Sequence, residues 1–244
     1  MRHLSNRQRE SRLVEPLESR ALFAVTVAFV APGTLSFTGD FQADTIIIND
    51  NGAAVISGAA NDASGTMISF GSFAGITTVN VDGGANNDTV RYTVTGDMPS
   101  SVRYVNVILG EGDDRFDARM DADIDLGFPS YLAIRGYGDS GNDMLSAVSR
   151  GEMDGHLAVL FDGGTGNDRL YTDIRLDPGS GGGPFCRSYG GAGDDTMDLV
   201  VRKANPLDPT WIDAFASGGV GVDLLTKTAN VLSDATVDVL VIVP

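Results

Sequence analysis

The chain has 244 residues, a formal charge of −16 and a pI near 4.3, a balance that excludes sequence-independent binding to nucleic acid or to an anionic membrane surface, because both need a basic face. Its single cysteine, Cys186, excludes an intramolecular disulfide and a cysteine-based zinc site, and no apolar run is long enough to span a bilayer as a helix. Glycine is abundant, and of the 33 acidic residues only Glu10, Glu15, Glu18, Glu111 and Glu152 are Glu, so the acid is mostly Asp, which closes turns and offers hard oxygen ligands.

Three regions follow in chain order: 1–24, 25–75 and 76–244. The first carries a basic stretch, Arg2 to Arg12, and then Val14-Glu15-Pro16-Leu17-Glu18-Ser19-Arg20-Ala21-Leu22-Phe23. This run resembles the LEPR-XLL motif near the start of many exported planctomycetal proteins, with Ser19 in place of the motif Pro and Phe23 in place of its last Leu. The resemblance implies export and an extracellular or cell-surface location. In the second region, Val25 to Val30 with Thr34 to Thr38, and Asp44 to Asp50 with Ala53 to Ser57, read as two hairpins around Pro-Gly and Asn-Gly turns. They are expected to cap the open end of a repeat.

The third region repeats. Aligned on Asp44, Asp88, Asp114, Asp143, Asp168, Asp195 and Asp223, the chain shows separations of 44, 26, 29, 25, 27 and 28 residues. Two residues before these aspartates stand Gly112, Gly141, Gly166, Gly193 and Gly221, with Gln42 and Asn86 as departures. Four before stand Gly84, Gly110, Gly164, Gly191 and Gly219. Five before stand Gly39, Gly83, Gly138, Gly163, Gly190 and Gly218, with Leu109 as the departure. Two after, every residue is apolar: Ile46, Val90, Phe116, Leu145, Leu170, Met197 and Leu225. Nine before the last six stand Val79, Val105, Ile134, Val159, Cys186 and Ala214.

Each unit therefore reads as strand, Gly-Asp turn, strand. One unit cannot bury its apolar row alone, whereas stacked units can, so the spacing predicts an all-β parallel β-helix or β-roll solenoid. A closing strand is expected over Thr236 to Val243. Cys186 falls on an apolar row and reads as a core residue.

Stacked at about 4.8 Å, equivalent aspartates would repel by roughly 3 to 4 kcal/mol per neighbouring pair at an effective dielectric of 20. Divalent cations would reverse that sign. A second reading of the same residues is a metal-free turn in which backbone N–H groups cap the carboxylates. Gly163-Gly164-Thr165-Gly166-Asn167-Asp168-Arg169-Leu170 and Gly190-Gly191-Ala192-Gly193-Asp194-Asp195-Thr196-Met197 resemble hemolysin-type (RTX) calcium-binding repeats. The resemblance implies a β-roll that binds Ca²⁺ between turns. It places ligands at Asp168 and Asp195 first, then Asp143, Asp114 and Asp88, then Asp223 and Asp44, with Gly164, Gly166, Gly191 and Gly193 in the ion-binding turns. The chain departs from that family in having one motif per rung and no tandem nonapeptides.

Enzymatic signals are weak. Gly136-Tyr137-Gly138-Asp139-Ser140-Gly141 matches a dinucleotide-binding pattern but falls in register with the Asp143 repeat, and only His3 and His156 are available for histidine chemistry. Asp113 and Asp114 could serve as an acid and base pair, yet such a pair has no reason to recur on every rung. The sequence is thus read as a secreted or surface calcium-binding solenoid with a structural or adhesive role, its partners calcium and cell-surface or matrix components. A calcium-independent scaffold and a carbohydrate-active β-helix enzyme are the alternatives.

Overall fold

A computed structural model of the chain describes residues 25–62, 64–98, 102–124, 131–207, 210–228, 230, 232–233 and 239–243. The expected export segment, 1–24, lies outside the described residues. In chain order the strands are β1 (Thr26–Ala31), β2 (Thr34–Thr38), β3 (Thr45–Asp50), β4 (Val55–Asn61) and β5 (Met67–Ala74), followed by the repeating pairs β6 (Thr78–Ala85) and β7 (Thr89–Val94), β8 (Val102–Glu111) and β9 (Arg115–Asp121), β10 (Tyr131–Ser140) and β11 (Met144–Gly151), β12 (His156–Thr165) and β13 (Arg169–Leu176), β14 (Gly183–Ala192) and β15 (Thr196–Lys203), and β16 (Asp213–Val220) and β17 (Leu224–Thr228). β18 (Leu232–Ser233) and β19 (Val239–Val243) complete the set. No helix occurs among the described residues.

The strands form two stacks. The first sheet runs β1-β2-β6-β8-β10-β12-β14-β16-β18 and the second β19-β17-β15-β13-β11-β9-β7-β3-β4-β5. From β6 onward neighbours within each sheet are parallel, and the chain passes from the first sheet to the second through each Gly-Asp turn. The protein is a parallel β-solenoid, as the spacing predicts.

Period-two alternation supplies the core. Ile46, Val90, Phe116, Leu145, Leu170, Met197 and Leu225 are register partners along the second sheet, and each is at most 1% exposed. Val79, Val105, Ile134, Val159, Cys186 and Ala214 form the facing row in the first sheet. Cys186 is fully buried there, and that burial pushes its thiol up to about 12, so it packs as a small apolar side chain. Gly136 also belongs to the core, since a Cβ on it would meet Leu145, Phe116 and Phe161 at 2.9 to 3.0 Å. Its place in a Gly-rich pattern is explained by the edge-to-face Phe116–Phe161 pair, whose ring centroids stand 6.1 Å apart.

At the N-terminal end β1 pairs antiparallel with β2 and β3 with β4, the two expected hairpins. β5 is an additional antiparallel strand on β4. Its sequence, MISFGSFA, is mostly exposed and does not alternate in burial, which is why no periodic signal marks it. The cap is tied to the first rungs by a fully buried ion pair: Arg103 Nε lies 2.5 Å from Asp50 Oδ2, and Tyr92 donates its hydroxyl to the same oxygen. At the other end β19 pairs with β17, over the last part of the span expected to close the repeat, and its Val239 to Ile242 remain 43 to 60% exposed.

Candidate functional site

The Gly-Asp turns form one edge of the solenoid, and hydrogen bonding there runs from rung to rung. Within a turn, the N–H two residues before the aspartate donates to a carbonyl of the next rung, as Gly166 does to Ala192 at 2.8 Å. The N–H one residue after donates to the aspartate carbonyl of the preceding rung, as Arg169 does to Asp143 at 2.7 Å. Between them, two successive amides are satisfied by side chains. Asp168 N–H donates to Oδ1 of Asp195 on the next rung at 2.8 Å, and Asn167 N–H donates to Oδ1 of Asn142 on the preceding rung at 2.9 Å.

Both bonds recur. In the inner row Asp44, Asp88, Asp114, Asp143, Asp168 and Asp195 each donate to the Oδ1 of the next aspartate at 2.6 to 2.9 Å, ending on Asp223. In the outer row Asp113, Asn142, Asn167, Asp194 and Val222 each donate to the Oδ1 of the preceding Asn or Asp at 2.8 to 3.1 Å. The two ladders run in opposite directions along one edge. They explain why an Asn or Asp so often precedes the repeated Asp: at these two residues side-chain oxygens replace backbone carbonyls as acceptors.

All seven sequence-selected aspartates are brought into one column, and each is at most 3% exposed. The glycines take complementary positions. Gly164 and Gly191 have φ of +97° and +111°, and Gly166 and Gly193 have +126° and +140°, a region that L side chains rarely adopt. Where the motif departs, Asn86 and Asp139 adopt φ of 70° and 68°, because Asn and Asp tolerate left-handed backbone better than other side chains.

The carboxylates are half-satisfied. Oδ2 of Asp88, Asp114, Asp143, Asp168 and Asp195 has no hydrogen-bond partner among the described residues, and neither has Oδ1 of Asp44. In Asp88, Asp143, Asp168 and Asp195 the free Oδ2 stands near the glycine five residues earlier, Gly83, Gly138, Gly163 and Gly190. A Cβ on Gly163 would lie 2.3 Å from Asp168 Oδ2 and 2.4 Å from the carbonyl oxygen of Gly190 on the next rung; on Gly138 the corresponding distances to Asp143 Oδ2 and Gly163 O are 2.4 and 2.3 Å. The glycine thus leaves a small cradle where a carboxylate oxygen and a carbonyl oxygen from adjacent rungs converge.

Burial raises these carboxyls. Asp88 and Asp143 are pushed up to about 7 and Asp168 to about 6, by desolvation first and by neighbouring carboxylates as well, against the lowering effect of the N–H donor. Asp44, Asp114 and Asp195 are raised for the same leading reason. The donor set is oxygen only and suits a hard cation such as Ca²⁺. No group of three or more His, Cys, Asp or Glu side chains among the described residues converges as a metal site, so an ion at this edge would draw on carboxylates of adjacent rungs together with turn carbonyls.

The class that fold and edge define is a parallel β-solenoid with an aspartate-laddered turn. The chain matches no family model, no curated protein and no solved structure. No helix among the described residues is long and apolar enough to cross a membrane.

Proposed function

We propose that this protein is a calcium-stabilised β-solenoid of the cell exterior, with a structural or adhesive role and no catalytic one. The observation that carries the reading is the column of buried aspartates in which, on successive rungs from Asp88 to Asp195, the second carboxylate oxygen has no donor among the described residues. Buried polar oxygens are ordinarily paired, and repeated exceptions call for a partner. A cation supplies one and removes the repulsion within the column. The residues that would hold it are Asp88, Asp143, Asp168 and Asp195, with Asp44, Asp114 and Asp223 at the same level of their rungs. The neutral oxygens beside these carboxylates are the carbonyls of Leu109, Gly163, Gly190 and Gly218, in turns shaped by Gly164, Gly166, Gly191 and Gly193. Leu109 stands where the cradle glycine would be in the Asp114 rung, which makes that rung a poorer site.

A metal-free scaffold is the second reading, favoured by the Oδ1 ladder, which is complete without an ion. Thermal melting in chelator, then with Ca²⁺ or Mg²⁺, separates the two. A Ca²⁺-selective rise in Tm with saturable binding by calorimetry supports the calcium reading. Identical melts in all three, with no binding heat, would leave the scaffold.

A further inference from the structure

The solvent faces of the two sheets differ in kind. On the second sheet, outward positions carry arginines answered by aspartates, such as Arg115 with Asp117 at 2.6 Å and Arg119 with Asp121 at 2.5 Å. On the first sheet the outward positions carry rings: Tyr104, Tyr131, Tyr137, His156, Phe185, Tyr189 and Phe215, with Trp211 just before β16. Four of the six tyrosines and the only tryptophan are on this face.

Parallel register sets Tyr131 opposite His156 on adjacent rungs, with Tyr104 one column over, opposite Ala133. Tyr104 and Tyr131 pair at a centroid distance of 5.7 Å. Ala133, the register partner of Tyr104 and two residues after Tyr131, is only 1% exposed, so the rings lie across it and form a surface. His156 and Trp211 pair at 5.7 Å. Between them stands Gly183, the register partner of His156, where a Cβ would lie 3.0 Å from the Trp211 ring. Further along the strands Tyr189 pairs with Phe215 at 6.2 Å, and Arg187 lies 3.9 Å over Phe185. Tyr104, Tyr189 and Trp211 remain 36 to 45% exposed. Asn106 and Arg135, register partners on the same face, bring polar donors beside the rings.

We propose that this face binds a neutral linear polysaccharide, with sugar rings stacked on Tyr104, Tyr131, His156 and Trp211 and hydroxyls bonded by Asn106 and Arg135. Tyr and Trp offer rigid, amphipathic contact area at low entropic cost, and rings on successive rungs, paired as Tyr104–Tyr131 and His156–Trp211, suit an extended ligand. Charge selects the class. Arg187 is neutralised by Asp213 at 2.9 Å, the chain as a whole is at −16, and a polyanion or a second copy of this chain would meet net repulsion. The inference does not rest on calcium, because the rings stand on the strand face and not at the turns.

The test is native affinity electrophoresis of the full chain in Ca²⁺, through gels containing hydroxyethylcellulose, arabinoxylan or, as an anionic control, polygalacturonate. Retardation is expected in at least one neutral glycan. Trp211→Ala and Tyr104→Ala, on different rungs, are each expected to weaken it by at least about fivefold with an unchanged melting curve, while Tyr171→Ala on the other sheet leaves it intact. No retardation by either neutral glycan overturns the proposal. So does retardation by polygalacturonate alone, equal loss in Tyr171→Ala, or a dimer of the chain that Trp211→Ala dissociates.

Discussion

The backbone N–H of Asp143 donates to Oδ1 of Asp168, one rung further along the axis, at 2.8 Å, while Asp168 Oδ2 receives no hydrogen bond from the described residues. One oxygen of each carboxylate therefore acts as an honorary backbone carbonyl, and the other carries the charge without compensation. The two oxygens can be separated by substitution.

Asp168→Asn keeps a carbonyl acceptor for Asp143 N–H and removes the charge. Asp168→Ala removes both. In chelator near neutral pH the Asn variant is expected to be at least as stable as the wild type, and the Ala variant less stable than the Asn variant by about 1 to 3 kcal/mol, the cost of an unpaired buried donor. In Ca²⁺ both variants should gain less than the wild type. Urea denaturation of the wild type and both variants in each buffer measures all six values, and an Asn variant that gains as much from Ca²⁺ as the wild type would sink the ligand assignment.

The raised carboxyls give the fold a pH dependence of known sign. Asp88 and Asp143 are pushed up to about 7 and Asp168 to about 6, above the ordinary value of 3.8, so the folded chain holds these protons more tightly than the unfolded chain. Their contribution is fully present below about pH 4 and is lost as pH rises through 6 to 7. In chelator, Tm should fall between about pH 5 and pH 8, and saturating Ca²⁺ should flatten that fall. A Tm that rises over this range in chelator would mean that the column is not desolvated as described.

Much of this was legible in the sequence because side-chain period and rung period coincide. The rows from Ile46 to Leu225 and from Val79 to Ala214 are register partners in the structure, since inward positions tolerate little but apolar side chains. The column of aspartates was equally plain. The direction of the two side-chain ladders was not, because Asn167 and Asp168 look alike in sequence and differ only in which neighbouring rung they serve. Nor was the Asp50–Arg103 pair, whose members lie 53 residues apart outside the repeat pattern. The aromatic face was hidden for another reason: its rings sit at different offsets within their rungs, and Tyr104 meets Tyr131 across columns while His156 meets Trp211 across Gly183, contacts that no single repeat position marks.

The glycines separate clash from strain. A Cβ on Gly166 would fall 1.8 Å from Gly141 O, and the residue has φ +126°; on Gly163 it would meet a carboxylate oxygen and a carbonyl but at no unusual φ. Gly166→Ala should therefore cost more than Gly163→Ala, with both above about 2 kcal/mol. Gly163→Ala should also reduce the Ca²⁺ response, because its methyl fills the cradle beside Asp168. Equal losses of stability would argue that backbone conformation is not what fixes glycine two residues before the aspartate.

The buried Asp50–Arg103 pair makes the last prediction. Arg103 comes from the first sheet and Asp50 and Tyr92 from the second, so the contact spans the core where the N-terminal cap meets the repeat. Arg103 Nε and Nη2 lie 2.5 and 3.1 Å from the Asp50 oxygens, and Gly52 N–H donates to Oδ1 at 2.9 Å. Arg103 Nη1 has no partner among the described residues. Removing one charge strands the other, so Asp50→Leu should cost about 3 to 5 kcal/mol, while adding Arg103→Met to it should recover most of that loss. Tyr92→Phe should cost only about 1 kcal/mol, a single hydrogen bond. Denaturation of Asp50→Leu, of Arg103→Met and of the double variant, each against the wild type, gives the coupling energy. A double variant as unstable as Asp50→Leu would show that Asp50 acts chiefly through its bond to Gly52 and the turn after β3, and not through the arginine.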